Sequence, residues 1–152
     1  MKTAILYFVA FTLLIGCNSD ESKSQINDLI GKWKLMAFVD EVNGTRLIES
    51  DFETSHEITL NFKENLIYIG NTVRNEFNGE YETNKSENLI ILKGGGGSEV
   101  GETEWGYFFF DKLILTYDPA TGNTSYNYEL LGDVLKIYYA DKEYMEFEKV
   151  EP

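Results

Sequence analysis

Alternation of apolar and polar residues with a period of two constrains the fold of this chain more than any other feature. In the segment HEITLNF, Ile58, Leu60 and Phe62 alternate with polar residues. This pattern is typical of a strand that buries one face. The segments FNGEYET and SYNYEL repeat it. Further strands are predicted at residues 32–40, 66–70, 88–92, 134–139 and 144–150.

Short polar turns separate the predicted strands. Asn43 and Gly44 form a pair that favours a hairpin turn, and residues 63–65, 84–86 and 131–133 carry similar turn chemistry. Short strands joined by such turns form an antiparallel meander, and closure is one way for a meander to hide its edges. We therefore predict a mainly β fold, in which an antiparallel meander forms a strongly curved sheet or a partly closed small barrel.

Two segments interrupt the alternation. Residues 94–97 are all glycine, and neither a Lys-Ser/Thr pair nor a helix signal follows at the spacing of a phosphate-binding loop. They are predicted to form a flexible loop. Residues 102–116 place Trp105 and Leu113 at helical spacing behind Thr103, a candidate N-cap. The same segment is also compatible with a hairpin, and in either conformation it is apolar enough to belong to the core.

The N-terminus resembles that of a bacterial lipoprotein. Lys2 precedes an apolar run that ends at Gly16 and Cys17. The run is shorter than the roughly 20 residues of a spanning helix and is typical of a signal peptide. Its last four residues, LIGC, resemble a lipobox, which implies cleavage after Gly16 and acylation of Cys17 as a membrane anchor. We therefore divide the chain into a signal peptide (1–16), a lipidated tether (17–26) and a single β domain (27–152).

The tether and the net charge indicate where such a chain acts. Residues 18–24 contain no apolar residue, which is typical of a solvated spacer. Ser19, Asp20 and Glu21 resemble the acidic export signals of some surface lipoproteins. Without residues 1–16 the chain has 12 basic and 26 acidic residues, a net charge of −14, which argues against nucleic acid as a partner. We expect a cell-envelope protein, lipid-anchored in the outer membrane on either its periplasmic or its surface face.

The order of the predicted strands is similar to the META domain of HslJ-type envelope proteins. The resemblance covers about residues 31–150. Its sharpest part is the motif N-x-F-x-G-x-Y, formed by Asn75, Phe77, Gly79 and Tyr81. It implies a small antiparallel domain that is linked to envelope stress and has no established enzymatic activity. This chain lacks the two cysteines of the family pattern.

Alternation within this motif predicts the direction of its side chains. Phe77 and Tyr81 are expected to point into the core, while Glu76 and Glu80 face water.

A second resemblance, to lipocalin-like domains, rests on Gly31 and Trp33 in the first predicted strand. In lipocalins this tryptophan closes the barrel beneath an arginine from a late strand, whereas the arginines of this chain are Arg46 and Arg74. The expected arginine partner is therefore missing. The resemblance implies a carrier that binds a small apolar ligand in a cavity of about 300 Å³ or more. The META-like and lipocalin-like interpretations both remain open.

The sequence offers few residues for catalysis or metal binding. His56 is the single histidine and Cys17 the single cysteine, so a metal cluster of several His or Cys ligands cannot form, and His56, beside Glu57, is interpreted as an ordinary strand residue. We predict no catalytic residue, no metal site and no cofactor. The expected role is non-enzymatic binding or structural, stress-related support. Its partner is an unknown envelope protein or, for a carrier, a small apolar ligand.

Aromatic residues are the remaining candidates for a binding site. Trp33 alternates with apolar neighbours and is predicted to be buried at the base of the sheet. Trp105 follows the glycine run, so we predict it at the rim of a binding site together with Tyr107. Further tyrosines that could line a binding face are Tyr138, Tyr139 and Tyr144.

Overall fold

The structure, a computed structural model, describes residues 28–72, 74–98 and 100–151. The predicted signal peptide with Gly16, the anchor Cys17 and the tether lie outside these residues. The strands are β1 (Gly31–Asp40), β2 (Thr45–Ile48), β3 (Thr59–Phe62), β4 (Ile67–Asn71), β5 (Glu76–Asn84), β6 (Leu89–Gly97), β7 (Tyr117–Asp118), β8 (Asn123–Leu131), β9 (Val134–Ala140) and β10 (Glu143–Val150). The α-helix α1 (Glu104–Leu113) follows β6, and a 3-10 turn spans Glu49–Asp51.

The strands form one antiparallel sheet that closes on itself. Its order is β10-β9-β8-β6-β5-β4-β3-β1-β2, and β10 also pairs with β1 from Glu143 opposite Asp40 to Val150 opposite Lys32. All strands except β2 and β7 therefore form a ring of eight. The predicted mainly β antiparallel meander is confirmed, as a strongly curved sheet closed by hydrogen bonds.

The ring is uneven because β1 pairs with two different strands along the same edge. Residues 31–34 of β1 pair with β3, and residues 37–40 pair with β2. The pairing of β1 with β10 shifts in register between Leu35 and Ala37. Such a shift bends the strand and raises its local twist. The result is a ring of hydrogen bonds rather than a regular barrel.

The core lies inside the ring, as the alternation predicts. Phe77 and Tyr81 are buried, whereas Glu76 and Glu80 on the same strand are exposed. The predicted register of this strand is therefore confirmed. Side chains from the strands and from α1 form a single cluster, whose largest fully buried members are Trp33, Trp105, Tyr81, Tyr126, Phe62, Phe109 and Phe147.

Trp33 closes one end of the ring, and its burial confirms the prediction. Its side chain is 0% exposed, and its Nε1 donates a hydrogen bond to Leu29 O at 2.7 Å. The Nζ atom of Lys149 lies 5.1 Å from the centre of the tryptophan ring and donates to Asp28 O at 3.2 Å. No arginine lies over Trp33 among the described contacts; a lysine of the last strand supplies a cation there instead.

The helix α1 closes the other end. Thr103 is its N-cap and accepts a hydrogen bond from Gly106 N at 3.0 Å. The preceding helical N–H groups donate to Thr54, Glu104 N to Oγ1 and Trp105 N to the carbonyl oxygen. Because these donors have partners, the first turn can be buried. The helical alternative for residues 102–116 is thus confirmed, over Glu104–Leu113.

The predicted flexible loop at residues 94–97 is wrong, because these glycines form the last part of β6. The register of β5 with β6 shifts between Asn78 and Glu80, so the strands bulge around Gly79. A Cβ atom at Gly79 would lie 2.6 Å from Lys93 O. This close approach of two backbones requires glycine and keeps the segment in the sheet despite its low strand propensity.

Candidate functional site

A groove crosses the outside of the ring where β8 changes neighbours. Residues 123–127 of β8 pair with β6, and residues 127–131 pair with β9 on the other side. On that second side β7 pairs with β8 only at residues 123 and 124. A gap in the ladder therefore remains between β7 and β9, and it lies beside a groove of about 690 Å³. We call this feature the β8 groove.

The lining of the β8 groove is polar, aromatic and mostly negative. Asn127 and Glu129 project from the exposed face of β8. Tyr138 and Tyr139 contribute aromatic groups from β9. The acidic lining residues are Glu41, Glu87, Glu129 and Asp141, and the basic one is Lys142. A partner that presents positive charge would complement this lining.

The tyrosines at the groove are held in place by packing. Tyr138 contacts Tyr144, with ring centres 5.1 Å apart. The Nζ atom of Lys136 lies 4.6 Å from the centre of the Tyr144 ring and 3.7 Å from Glu129 Oε2. Burial raises the pKa of Tyr138, and the neighbouring Glu129 carboxylate raises it further. Tyr138 therefore stays protonated near neutral pH and can act as a hydrogen-bond donor.

Tyr139 is buried more deeply than Tyr138. It is 6% exposed, and Lys112 Nζ lies 5.0 Å from the centre of its ring. Burial raises the pKa of Tyr139 to about 12, with further contributions from the charges of Glu143 and Asp40. Neutral tyrosines beside carboxylates offer hydrogen bonds and charge for binding a ligand, but no activated nucleophile. Among the described residues, no group of three or more His, Cys, Asp or Glu side chains is placed to hold a metal ion.

The two aromatic residues nominated from the sequence lie elsewhere. Trp105 is 0% exposed and packs between Phe38 and Phe52, with ring centres 4.8 and 4.9 Å away. Its predicted position at the rim of a site is wrong, because the capped start of α1 turns this side chain into the core. Tyr107 is 55% exposed on α1 but does not line the β8 groove.

Of the other tyrosines singled out from the sequence, Tyr138 and Tyr139 line the groove and Tyr144 lies behind Tyr138. The polar residues of the groove lining were not predicted from the sequence. Asn127 and Glu129 occupy the outward positions of an alternating strand, where polar residues are expected in any case. The signal that marks this site is the change of strand partner along β8, which is a long-range property.

A second polar cluster, around Asn75, is buried. Asn75 Nδ2 donates to Val100 O at 2.8 Å and to Glu102 Oε1, and Asn75 Oδ1 accepts from Val100 N at 2.8 Å and from Ser98 Oγ at 3.0 Å. Thr72 Oγ1 also donates to Glu102 Oε1. Thr72 and Asn75 are 1% and 5% exposed. This Asn75 cluster joins Ser98, Val100 and Glu102 to Thr72 and Asn75, just before β5, and so positions the start of α1.

The other residues of the N-x-F-x-G-x-Y motif also have structural roles. The Phe77 ring covers Gly70, where a Cβ atom would overlap it. Gly79 allows the close approach of β5 and β6. Tyr81 Oη donates to Lys63 O at 2.9 Å. The motif therefore specifies packing, and its residues lie apart from the lining of the β8 groove.

The helices of the described chain are too short or too polar for any of them to be a candidate membrane span.

Comparisons with known proteins support the fold alone. No protein-family model matches the chain, and no curated protein does. A protein from Burkholderia xenovorans, solved by NMR, is similar in structure with a TM-score of 0.57 and 12% identity, over 99% of this chain and 97% of that one. A crystal structure of a DUF4847 family protein from Bacteroides vulgatus has a TM-score of 0.58 and 11% identity, over 85% of this chain and 99% of that one.

Proposed function

We propose that this chain is a lipid-anchored protein of the cell envelope that binds a protein partner without catalysing a reaction. The β8 groove is its contact face in this proposal, and the partner presents lysine or arginine side chains. The observation that carries the proposal is the groove itself, an open site of about 690 Å³ that combines four carboxylates with tyrosine hydroxyls and one lysine. The META resemblance adds the expectation of a structural or stress-related role.

Side chains fill the interior of the ring, and this supports binding of a partner on its outer surface. Trp105 and Phe109 project from α1 into the same cluster as Trp33 and Phe147 from the strands, and all four are 0% exposed. A ligand inside the ring would have to displace these side chains. Each displaced large side chain would lose burial worth about 1.5–3 kcal/mol.

The proposed anchor predicts the behaviour of a Cys17→Ser variant. We expect it to remain uncleaved and unacylated and to lose the mature lipidated form from membranes, because the serine hydroxyl cannot replace the thiol that receives the diacylglyceryl group. Mass spectrometry of the membrane fraction measures the acyl chains. Ser19→Ala, two residues away in the tether, is the matched control and should be processed normally. Acyl chains on the Cys17→Ser variant would contradict the anchor.

The contact face is tested by crosslinking in living cells. A photoreactive benzoylphenylalanine at Asn127 lies in the groove, and the same group at Asn61 lies on β3, opposite β8 in the ring. We expect a defined adduct with one envelope protein from position 127 and none from position 61. Adducts of equal yield from both positions, or none from position 127, would contradict a groove contact.

Charge variants made in the chain that carries benzoylphenylalanine at position 127 test whether the acidic residues of the groove attract a basic partner. Glu129→Gln combined with Asp141→Asn should lower the adduct yield by at least about fivefold, because the paired charges across an interface guide and stabilise association. Glu64→Gln combined with Asp111→Asn removes the same charge from exposed positions outside the groove and should leave the yield unchanged. Equal losses in both double variants would mean that only net charge matters.

A lipocalin-like carrier is the second candidate, favoured by the closed ring of eight strands and by Lys149 over Trp33. The two roles differ in what the ligand touches. An apolar ligand inside the ring must move Trp105 and so change its fluorescence, whereas a partner in the groove leaves that side chain in place.

A further inference from the structure

The last part of β6 has a neighbour on one side only. β6 pairs with β8 up to Lys93 opposite Asn123, while its pairing with β5 continues to Gly97 opposite Phe77. Residues 94–97 are all exposed. Within the described ranges, the side of these glycines that faces away from β5 has no strand beside it. We call this stretch the glycine edge.

The hydrogen-bond pattern shows which amides point outward. Ser98 N donates to Glu76 O at 3.1 Å, so the amide of Ser98 faces β5. Because alternate residues of an antiparallel strand direct their N–H and C=O groups to opposite sides, Gly97 turns these groups away from β5. Gly94 O faces β5, 2.8 Å from a Cβ atom placed at Gly79, so the N–H of Gly95, in the same trans peptide, points away from β5 as well. The glycine edge thus presents backbone donors and acceptors to solvent.

Exposed strand edges of this kind are usually protected. Proteins block them with lysine, proline or a covering segment, because an open edge pairs with other chains. Residues 94–97 contain none of these side chains. Cβ atoms at Gly94 and Gly96 would meet nothing within 4 Å, so no other described residue covers the faces of the strand at these two positions.

We propose that the glycine edge is a docking site for an extended, basic segment of a partner protein, which adds a strand beside β6. Strand addition draws affinity from backbone hydrogen bonds and specificity from alternate side chains. Glu76 and Glu80 are exposed on the neighbouring strand and have no ion-pair partner in the described part of the chain. Lys93, in contrast, is paired with Glu82. Lysine side chains on the added strand complement the two unpaired carboxylates.

A second copy of this chain fits the edge less well. A stable dimer needs about 1,200 Å² or more of buried surface, and pairing four glycines with four glycines supplies far less. Two copies would also bring net charges of equal sign together. A flexible peptide avoids both costs because it can follow the edge and then continue over the adjoining surface.

The test uses hydrogen–deuterium exchange on the full chain, purified from membranes in detergent. The probe is a synthetic octapeptide of alternating lysine and valine. We expect it to slow exchange in residues 93–98 at least about tenfold at saturation. An octapeptide of alternating glutamate and valine, and a lysine–valine peptide N-methylated on every residue, should not slow it, because the first lacks the charge and the second has no N–H donor on either edge.

Two variants at one position separate pairing from folding. Gly95→Pro removes an outward N–H and should abolish the protection, whereas Gly95→Ala keeps it, since a Cβ atom there meets only Tyr68 Oη at 3.6 Å. Equal protection by the N-methylated peptide would overturn strand addition even if Gly95→Pro failed to fold. Slow exchange of residues 93–98 before any peptide is added would also overturn it. So would protection that rises with protein concentration alone, which would assign the edge to a second copy.

Discussion

Replacing Asn75 with alanine is expected to lower the free energy of unfolding by about 3 kcal/mol. The amide makes four hydrogen bonds, two of them to the backbone of Val100. Its removal leaves Val100 N and the Glu102 carboxylate short of partners in a part-buried site, and each such group costs about 1–3 kcal/mol. Urea unfolding of the wild type and variant measures the difference.

Asn78 provides the matched control. It is an asparagine on the same strand, but it is exposed, so Asn78→Ala should change stability by no more than about 0.5 kcal/mol. Similar losses from the two variants would show that the Asn75 cluster contributes nothing specific to the fold.

Replacing Phe77 with alanine is expected to cost about 3–5 kcal/mol, because the ring is buried and its loss leaves a cavity. The ring centre lies 5.3 Å from that of Phe110 and 5.9 Å from that of Phe109, so the side chain joins β5 to α1. Tyr107→Ala removes a 55% exposed aromatic residue from the same helix and should cost less than about 0.5 kcal/mol.

Gly70 gives this prediction a second, sharper test. A Cβ atom at Gly70 would overlap the Phe77 ring, so Gly70→Ala alone should cost about 1–3 kcal/mol through overpacking. In the Phe77→Ala background the space is empty, and the same substitution should cost less than about 0.5 kcal/mol. Additive effects in the double variant would mean that the two residues do not share this space.

Alternation in the sequence predicted most of the ring, because each strand buries one face. It did not reveal β2, which is short and exposed apart from Leu47, or β7, which has two exposed residues. These strands form because β1 and β8 offer them an unpaired edge, and no local pattern records that. The sequence wrongly predicts a loop at residues 94–97, because a run of glycines is typical of a loop. The close approach of β5 and β6 at the Gly79 bulge holds this segment in the sheet.

The candidate site could be predicted only in part. Of the surplus tyrosines, Tyr138 and Tyr139 line the β8 groove and Tyr144 lies behind Tyr138, although Tyr139 and Tyr144 are also largely buried. The sequence wrongly predicts Trp105 at the rim of a site. The helical spacing of its segment indicates a helix, but it does not show which face of that helix packs against the ring. Lys149 was overlooked because the resemblance names an arginine, although any cation can lie over an indole ring.

The pairing of β1 with β10 has a consequence for how the protein can be made. These are the first and the last strands of the described domain, and β10 brings Met145 and Phe147 to the core. Until β10 is available, β1 keeps an open edge, and Lys149 cannot cover Trp33. During synthesis, which proceeds from the N-terminus, the ring of the described domain therefore cannot close until β10 has been made.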